Sequence, residues 1–430
     1  MNKQSKIRKS LTFSFWDGIF ASCMTGLTND YIAPFALALK ATTSQIGLLS
    51  AIPNLAASLG QLHSPVLTDR FKSRKKVITL FVLLQALTRI PIMLIPYFFN
   101  RQPVLFLVFF VSLFMTFNAI STPAWSSLMA DHIPPRSRGK YFGWRNKILS
   151  AVSICAAFSS GFVLYLNGHN VVKGFMFIFA AAFACRMVSW YFLTRMYEPV
   201  FRVNPNAYFT FWEFIRRLRY SNFAKFVLFV SCINFCVNLA APFFSVFMLR
   251  DLKFNYLIYS VIVTTVTVTH IFTISRWGRH ADRFGNLKVI RFTSLIIATL
   301  PLWWIIYQRP AYLIIIQILS GFAWSGFLLC SNNFVYDAVT PEKRTRCIAY
   351  FNTCAGAATC LGAIFGGFLA NYLPAVFGFK LMALFLLSSG LRFVAVFLFT
   401  GKIKEVRSAH SITDRELLYS VIGVRPALEE

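Results

Sequence analysis

The sequence predicts an all-α integral membrane protein of twelve transmembrane helices, arranged as two pseudo-symmetric six-helix halves with both termini cytoplasmic. Three observations predict it. Charge is scarce along most of the chain, the basic residues gather on one side of the predicted spans, and a series of polar positions recurs about half a chain apart.

Scarcity of charge gives the class. Hydrophobic residues make up 57% and charged residues 13% of the 430, against about 45–50% and about 25% in a soluble domain. Charge-free runs cover Gln102–Ala130, Phe226–Leu249, Phe254–Ser275, Ala311–Tyr336 and Cys347–Phe379. Each meets the ~20 apolar residues that a bilayer-spanning helix needs. Continuing the pattern gives spans near 13–37, 45–67, 77–98, 104–129, 142–166, 174–195, 224–248, 255–276, 288–307, 311–336, 347–371 and 380–400. The opening "MNKQSKIRKS" reads as a basic lead into the first span, without the pattern of a cleaved secretory signal.

Placement of charge gives the orientation. A net charge of +28 raises nucleic acid as a partner, but no soluble basic domain remains to carry it. Of the 43 Lys and Arg, 33 fall in the two tails and the even-numbered gaps, counting span ends with the gaps they border. Lys40, Arg101, Lys173, Arg250, Lys253, Arg309 and Lys380 fall in the odd gaps, and Arg89, Arg186 and Arg392 inside spans. Positive charge stays on the cytoplasmic side. The expected location is therefore multi-pass in a plasma (bacterial inner) membrane, with the protein a monomer. The nine cysteines include no CxxC pair, and no cluster suggests a metal, a cofactor or an enzyme's acid–base set.

The third observation is the repeat. "TDRFKSRKKVI" at 68–78 returns as "ADRFGNLKVI" at 281–290. Asp131-x-x-x-Pro135-x-x-Arg138 matches Asp337-x-x-x-Pro341-x-x-Arg344 at an offset of 206, which also relates Asn146 to Asn352, Arg186 to Arg392 and Thr194 to Thr400. Pro91 meets Pro301 and Tyr97 meets Tyr307. Polar matches in one order along both halves imply duplicated architecture. The predicted domains are a first half (1–196), a cytoplasmic linker (197–223), a second half (224–400) and a cytoplasmic tail (401–430). In the linker, "FTFWEFIRRLRY" sets Phe211, Phe214, Ile215 and Leu218 on one helical face and Arg216, Arg217 and Arg219 largely on the other. That pattern suits a helix lying on an anionic inner leaflet.

Charge inside spans marks the places to look for chemistry, since it costs ~2.5–3.5 kcal/mol at a helix centre on insertion scales. Two acids qualify, Asp17 and Asp30, both in the first span. Thirteen residues apart, they lie ~140° apart around a helix and cannot both point into one narrow cavity. Asp30 is the candidate for proton coupling. Arg186 has a depth compatible with an ion pair to Asp17. Arg392 has no such acid in the seventh span and must find backbone carbonyls, snorkel or face the cavity. Arg89 belongs with these as intramembrane structural charge. At the "DRF" turns, Gly285 supplies positive φ for a tight reversal. Asp131 and Asp337 are expected partners of Arg70 and Arg283, and Asp69 and Asp282 are placed to cap neighbouring helix starts around Arg138 and Arg344.

These motifs resemble the major facilitator superfamily (MFS) over about residues 13–400. That family carries G-x-x-x-D-R-x-G-x-(K/R)-(K/R) after its second helix and a weaker copy after its eighth. Here the second copy is the fuller one, with Gly278, Asp282, Arg283, Gly285 and Lys288, while the first has Pro65 and Lys72 at the two glycine positions. The resemblance implies an inner gate of contacts between the halves, and a central cavity lined by the first, fourth, seventh and tenth spans. Cavity candidates are Asn118, Thr122 and Trp125 in the fourth span, Asn234 and Asn238 in the seventh, Trp324, Asn332 and Asn333 in the tenth, and Asn146 and Asn352 in the fifth and eleventh. Two marks of proton-coupled exporters are missing, an arginine in the fourth span and a G-P-x-x-G-G run in the fifth.

The function expected from this is secondary active transport of a small organic solute by alternating access, with proton coupling through Asp30. The alternatives are a non-transporting relative used as a sensor or scaffold, and a lipid-handling protein. A sensor would be expected to carry a large soluble appendage, and beyond the spans only Gly401–Glu430 is present. Lipid handling would move lipid without solute flux.

Overall fold

The structure, a computed structural model, describes residues 3–99, 101–133, 135–199, 221–339, 341–406 and 412–422; within its helices the side chains of 3, 4, 130, 135–140, 341–346, 349, 415 and 422 are not described. Among these residues every regular element is helical, apart from one isolated bridge between Val376 and Phe379. Most of the predicted linker helix, with its Phe211–Leu218 and Arg216–Arg219 faces, lies outside the described residues.

The helices are α1 (Lys3–Thr28), α2 (Ile32–Ala38), α3 (Thr43–Phe71), α4 (Arg74–Leu87), α5 (Arg89–Phe98), α6 (Pro103–His132), α7 (Pro135–Leu166), α8 (Val171–Thr194), α9 (Asn222–Asn238), α10 (Phe243–Val246), α11 (Tyr256–Phe284), α12 (Asn286–Ile306), α13 (Pro310–Asp337), α14 (Pro341–Tyr372), α15 (Lys380–Thr400) and α16 (Asp414–Ile422). Ten stretches among the described residues are long and apolar enough to cross a membrane, and they correspond to the third to twelfth predicted spans. The first two predicted spans are long but more polar. The basic lead runs into α1, which is broken at Asn29–Tyr31, and α3 carries Gln45, Asn54, Gln61 and His63.

Local chemistry sets most boundaries. Thr42 and Gln45 form a capping box that starts α3. Prolines 103, 135, 310 and 341 open α6, α7, α13 and α14, where a missing N–H costs nothing. The repeat mates Pro135 and Pro341 are thus paired helix starts. Large apolar side chains such as Phe177, Phe272 and Phe397 stand mostly exposed, as lipid-facing residues must.

The chain divides into two compact units. One contains residues Met1–Pro205 with two pieces from the second half of the sequence, Pro242–Ser260 and Ala363–Asn371; the other contains Asn206–Ala241, Val261–Gly362 and Tyr372–Glu430. In the first unit α6 packs on α3 and α4, α8 packs on α1, α4 and α5, and α10 packs on α2 and α3. A core of Val77, Ile78, Val82, Ile120, Leu128, Met129 and Leu193 ties α4, α6 and α8 together near the "DRF" end. Gly47 lets α3 approach the 363–371 piece, since a Cβ there would sit 2.6 Å from the Ala363 carbonyl oxygen.

The second unit repeats part of this pattern. α12 packs on α13 and α15, and α15 packs on α9, as α4 and α5 pack on α6 and α8, and α8 on α1. Its tail is not featureless. α16 docks through buried Leu417 and Val421, an ion pair from Lys288 to Asp414 at 2.6 Å, and a 2.7 Å contact between His280 Nε2 and Ser420.

Candidate functional site

Two cavities with polar linings lie inside the first unit, and Asp17, Asp30, Arg89, Arg145 and Arg186 line them. The cavity nearer the "DRF" end has a volume of about 230 Å³. Asp17, Arg145 and Arg186 line it together with Asn118, Thr122 and Trp125, so the three fourth-span candidates do converge. Arg186, buried at 6% exposure, donates from Nε and Nη2 to Gln85 Oε1 at 2.8 and 2.5 Å and from Nη1 to the Ser189 hydroxyl at 3.0 Å. Ser189 in turn donates to Asp17 at 2.6 Å. The expected Asp17–Arg186 ion pair is therefore corrected to a pair bridged by a hydroxyl. One oxygen both accepts from the guanidinium and donates to the carboxylate.

The fifth span contributes Arg145, which the sequence reading passed over in favour of Asn146. Arg145 is buried, donates from Nη2 to the Ser14 carbonyl at 3.0 Å and lies 4.9 Å over the Trp125 ring, with its Nε unpartnered. Asn146 is exposed and lines neither cavity. One residue is about 100° of rotation on a helix, so Arg145 and Asn146 face different sides of the fifth span. An arginine at the inner end of an apolar span was the signal.

The second cavity, about 330 Å³, is lined by Asp30 and Arg89 with Asn29, Ser50, Asn54 and Phe114 among others. Asp17 and Asp30 line different cavities, as their separation around the helix requires. Asp30 sits in the 3₁₀ turn Asn29–Tyr31 that interrupts the first span. Pro34 contributes to that interruption. It has no N–H to donate to the carbonyl four residues back, and that carbonyl belongs to Asp30. The Tyr259 hydroxyl donates to it instead at 2.7 Å. Tyr31, next in the turn, donates to the Ala157 carbonyl at 2.6 Å and contacts the Ser260 hydroxyl. Tyr259 and Ser260 belong to the piece of the second half that clusters in this unit.

Arg89 is the most buried charge here, at 1% exposure. Its Nη2 donates to Thr28 Oγ1 at 2.8 Å and its guanidinium stacks 3.8 Å from the Phe114 ring centroid, while Nε and Nη1 have no partner. Arg89 and Asp30 share this cavity without pairing with each other.

The two "DRF" turns differ in residue and in geometry: Lys72 is left-handed helical (ψ 25°), whereas Gly285 is extended (ψ 152°) and is itself the N-cap of the next helix. Lys72 stands at the motif position of Gly285, and both take positive φ, +49° and +87°. The glycine is thus needed for conformation in the second turn. The first turn forces a lysine left-handed at a cost of about 1 kcal/mol and is one residue longer, with Lys72 N–H to the Asp69 carbonyl at 3.3 Å and Ser73 capping the next helix.

Asp131 pairs with Arg74 at 2.7 Å and not with Arg70, which is exposed along with Asp69 and has no ion pair among the described residues. Asp337 accepts from Asn286 at 2.9 Å. Arg74 and Asn286 are equivalent, each the first residue of the helix after the turn, so in both halves the acid bonds the next helix start. Glu198 and Glu405 complete both ends. Glu198 accepts from the Arg74 and Lys75 amides at 2.6 and 3.2 Å and from the Ser73 hydroxyl, and Glu405 accepts from the Leu287 amide at 2.6 Å. A carboxylate at a helix N-terminus answers its free N–H groups and its dipole. The side chains of Arg138 and Arg344 lie outside those described. Asp282 and Arg283 end α11, Arg283 lies 5.7 Å over Phe284, and Gly278 packs loosely, Leu329 being its nearest neighbour.

The second-half candidates are dispersed within their unit. Asn238 donates to the Asn234 carbonyl at 2.8 Å and to Thr359 at 3.4 Å. Trp324 packs edge-on to Phe327, Asn333 and Asn352 are half-buried, and Asn332 is exposed. Arg392 resolves as backbone-bonded, from Nη1 to Ile297 at 2.9 Å and Nη2 to Val237 at 3.4 Å. Pro301, four residues on, leaves the Ile297 carbonyl without its helical donor.

Among solved structures, the chain is similar to the nucleoside transporter NupG, at 17% identity, TM-score 0.73 and coverage of 92% of this chain and 100% of that one. It is also similar to a D-xylose-proton symporter, at 13% identity, TM-score 0.66 and coverage of 94% and 98%. An uncharacterized MFS-type transporter of Methanocaldococcus jannaschii is 22% identical over 397 residues, 90% of this chain and 97% of the relative. The family description "Major Facilitator Superfamily" matches residues 18–245 and 226–426. Two matches that overlap at 226–245 and together span 18–426 agree with the duplicated turns and equivalent arginines, and this multi-pass membrane chain belongs to the major facilitator superfamily.

Proposed function

We propose that this protein is a secondary active transporter that moves a small organic solute by alternating access, coupled to protons through Asp30. The observation that carries the reading is the pair of polar cavities inside an apolar bundle, each lined by acid and base together. Buried charge in a membrane protein is costly and collects along solute and proton pathways. Asp30 is suited to load and release a proton, because its carboxylate faces a cavity without a fixed cationic partner and sits beside a break in the first span. Asp17 is held by Ser189 within reach of Arg186, so its charge serves structure.

In this reading both termini and the "DRF" turns are cytoplasmic, the membrane is a bacterial inner membrane, and the linker rests on its anionic leaflet. The protein works as a monomer. The inner gate is built from Asp69, Arg70, Asp131, Arg138, Asp282, Arg283, Asp337 and Arg344 around Gly278 and Gly285. On the opposite side, the Tyr31, Tyr259 and Ser260 contacts hold the first span to the eighth and are released as the cavity opens outward.

The test uses proteoliposomes and a solute found by thermal-shift screening. An imposed pH gradient should drive accumulation by the wild type, whereas Asp30→Asn should equilibrate the solute without concentrating it. Gradient-driven accumulation by the variant at the wild-type level would remove Asp30 from coupling.

A further inference from the structure

We infer that the 330 Å³ cavity between Asp30 and Arg89 is a binding site for a small zwitterion of the amino-acid type, with Arg89 receiving its carboxylate and Asp30 its ammonium group. The inference rests on the transport reading and names the solute class for the same site.

Arg89 supplies the first argument. It is 99% buried by its 1% exposure, yet two of its three guanidinium nitrogens have no hydrogen-bond partner. A buried cation with unspent donors is expensive unless something pairs with it. Thr28 holds Nη2 and Phe114 covers one face of the guanidinium, so the side chain is fixed in place while Nε and Nη1 are buried without a partner. A planar guanidinium held rigidly is a better receptor for a carboxylate than a mobile one, because little entropy is lost on pairing.

Asp30 supplies the second. Its backbone carbonyl is engaged by Tyr259, and its carboxylate has no hydrogen-bond or ion-pair partner among the described residues. The cavity lining therefore holds one acid and one base, each with capacity left, and they do not satisfy each other. A neutral solute would leave both unanswered, an anion would leave Asp30 and a cation would leave Arg89. A molecule carrying both charges answers both. Asn29, Ser50 and Asn54 add neutral polar groups to the lining. The volume lies at the small end of the ~300–1,000 Å³ typical of ligand pockets, which favours a single small solute over a peptide.

The experiment measures the melting temperature of the full-length protein in detergent, followed by tryptophan fluorescence, against the twenty standard α-amino acids. Any that stabilises is compared with its methyl ester and its N-acetyl derivative. We expect at least one amino acid to give a saturable upward shift, and each capped form to bind about 30-fold or more weakly. We also expect Asp30→Asn to erase the difference between the amino acid and its N-acetyl form while keeping the preference over the ester. The proposal is overturned if no amino acid shifts the melt, if either capped form binds within about tenfold of its parent, or if Asp30→Asn leaves the N-acetyl discrimination unchanged. Flux of another solute with no amino-acid binding would end this assignment and leave transport standing. Amino-acid binding with no solute flux in proteoliposomes would do the opposite.

Discussion

Tyr259 offers a perturbation whose structural and transport effects can be separated. Its hydroxyl donates to the Asp30 carbonyl at 2.7 Å, and it does so because Pro34 cannot. Tyr259→Phe removes that donor and the 3.1 Å contact with Ser245. A buried carbonyl left without a partner costs about 1–3 kcal/mol, which for a unit of this size lowers the melting temperature by about 2–4 °C per kcal/mol. Pro34→Ala restores an N–H where a helical bond can reach the same carbonyl. The double variant Pro34→Ala/Tyr259→Phe should therefore melt close to Pro34→Ala alone, with a coupling energy of about 1–3 kcal/mol in the cycle. Transport should not recover with stability. In the double variant the carbonyl is satisfied within the first span, but the contact that joins this turn to α11 is still missing. The assay pairs tryptophan-monitored melting of the four proteins with solute flux in proteoliposomes. Additive melting shifts, or flux that returns together with stability, would refute the reasoning.

Four other outcomes are expected. Arg186→Met strips the Ser189-bridged partner from Asp17 and should destabilise by about 3 kcal/mol or more, whereas Arg392→Met removes a buried charge but orphans the Ile297 carbonyl and should change stability by less than about 1.5 kcal/mol; denaturant melts of both decide it, and Asp17→Asn should recover much of the first loss. Glu198→Ala leaves the Arg74 and Lys75 amides, the Ser73 hydroxyl and the Arg74 guanidinium without that acceptor and should cost about 1–2 kcal/mol, read from the same melts. The Glu416 carboxyl is held below its ordinary value of 4.5 by the hydroxyl and amide of Thr413. Its lowered value means the contribution is present above pH 4.5 and is lost as pH falls through the folded value, so hydrogen-exchange protection of α16 should fall with acidification and fall less in Glu416→Gln. Asp30→Asn should abolish gradient-driven accumulation, as set out above.

Much of the fold was legible because lipid imposes strong rules. Long charge-free runs, basic residues in alternate gaps and a polar repeat each survive without knowledge of side-chain contacts. The first two spans were harder to read, since α1 and α3 carry enough polar residues to fall below the other ten in hydropathy. The site was legible in composition more than in pairing. Asp17, Asp30, Arg89, Arg186 and Arg392 stand out as charge in apolar sequence, and the structure gives every one a cavity or a buried bond. Their partners did not stand out. Ser189, Gln85 and Thr28 are ordinary polar residues in apolar helices, and helical facing alone does not say which neighbour they meet. Arg145 was missed because a one-step rotation separates it from Asn146. Glu198 and Glu405 were missed because a cap that comes from more than a hundred residues away leaves no local pattern.

The equivalent arginines show how one architecture can carry two roles. Arg186 bonds Gln85, and Arg392 bonds the carbonyl of Ile297, which stands 212 residues after Gln85. That is the same offset that relates Lys76–Ile78 to Lys288–Ile290. Each arginine therefore ties the last helix of its half to the same place on the third, once through a side-chain amide and once through a carbonyl that a proline has freed. The shared contact is structural, because it survives a complete change of acceptor. What differs is everything around it: Asp17, Ser189 and Arg145 have no charged or hydroxyl counterpart beside Arg392 among its described contacts. A role common to both halves cannot account for residues present in one. The shared contact thus does not account for the additional charge in the first unit: Asp17 and Arg145 line the 230 Å³ cavity, while Asp30 and Arg89 line the one in which solute and proton are proposed to bind.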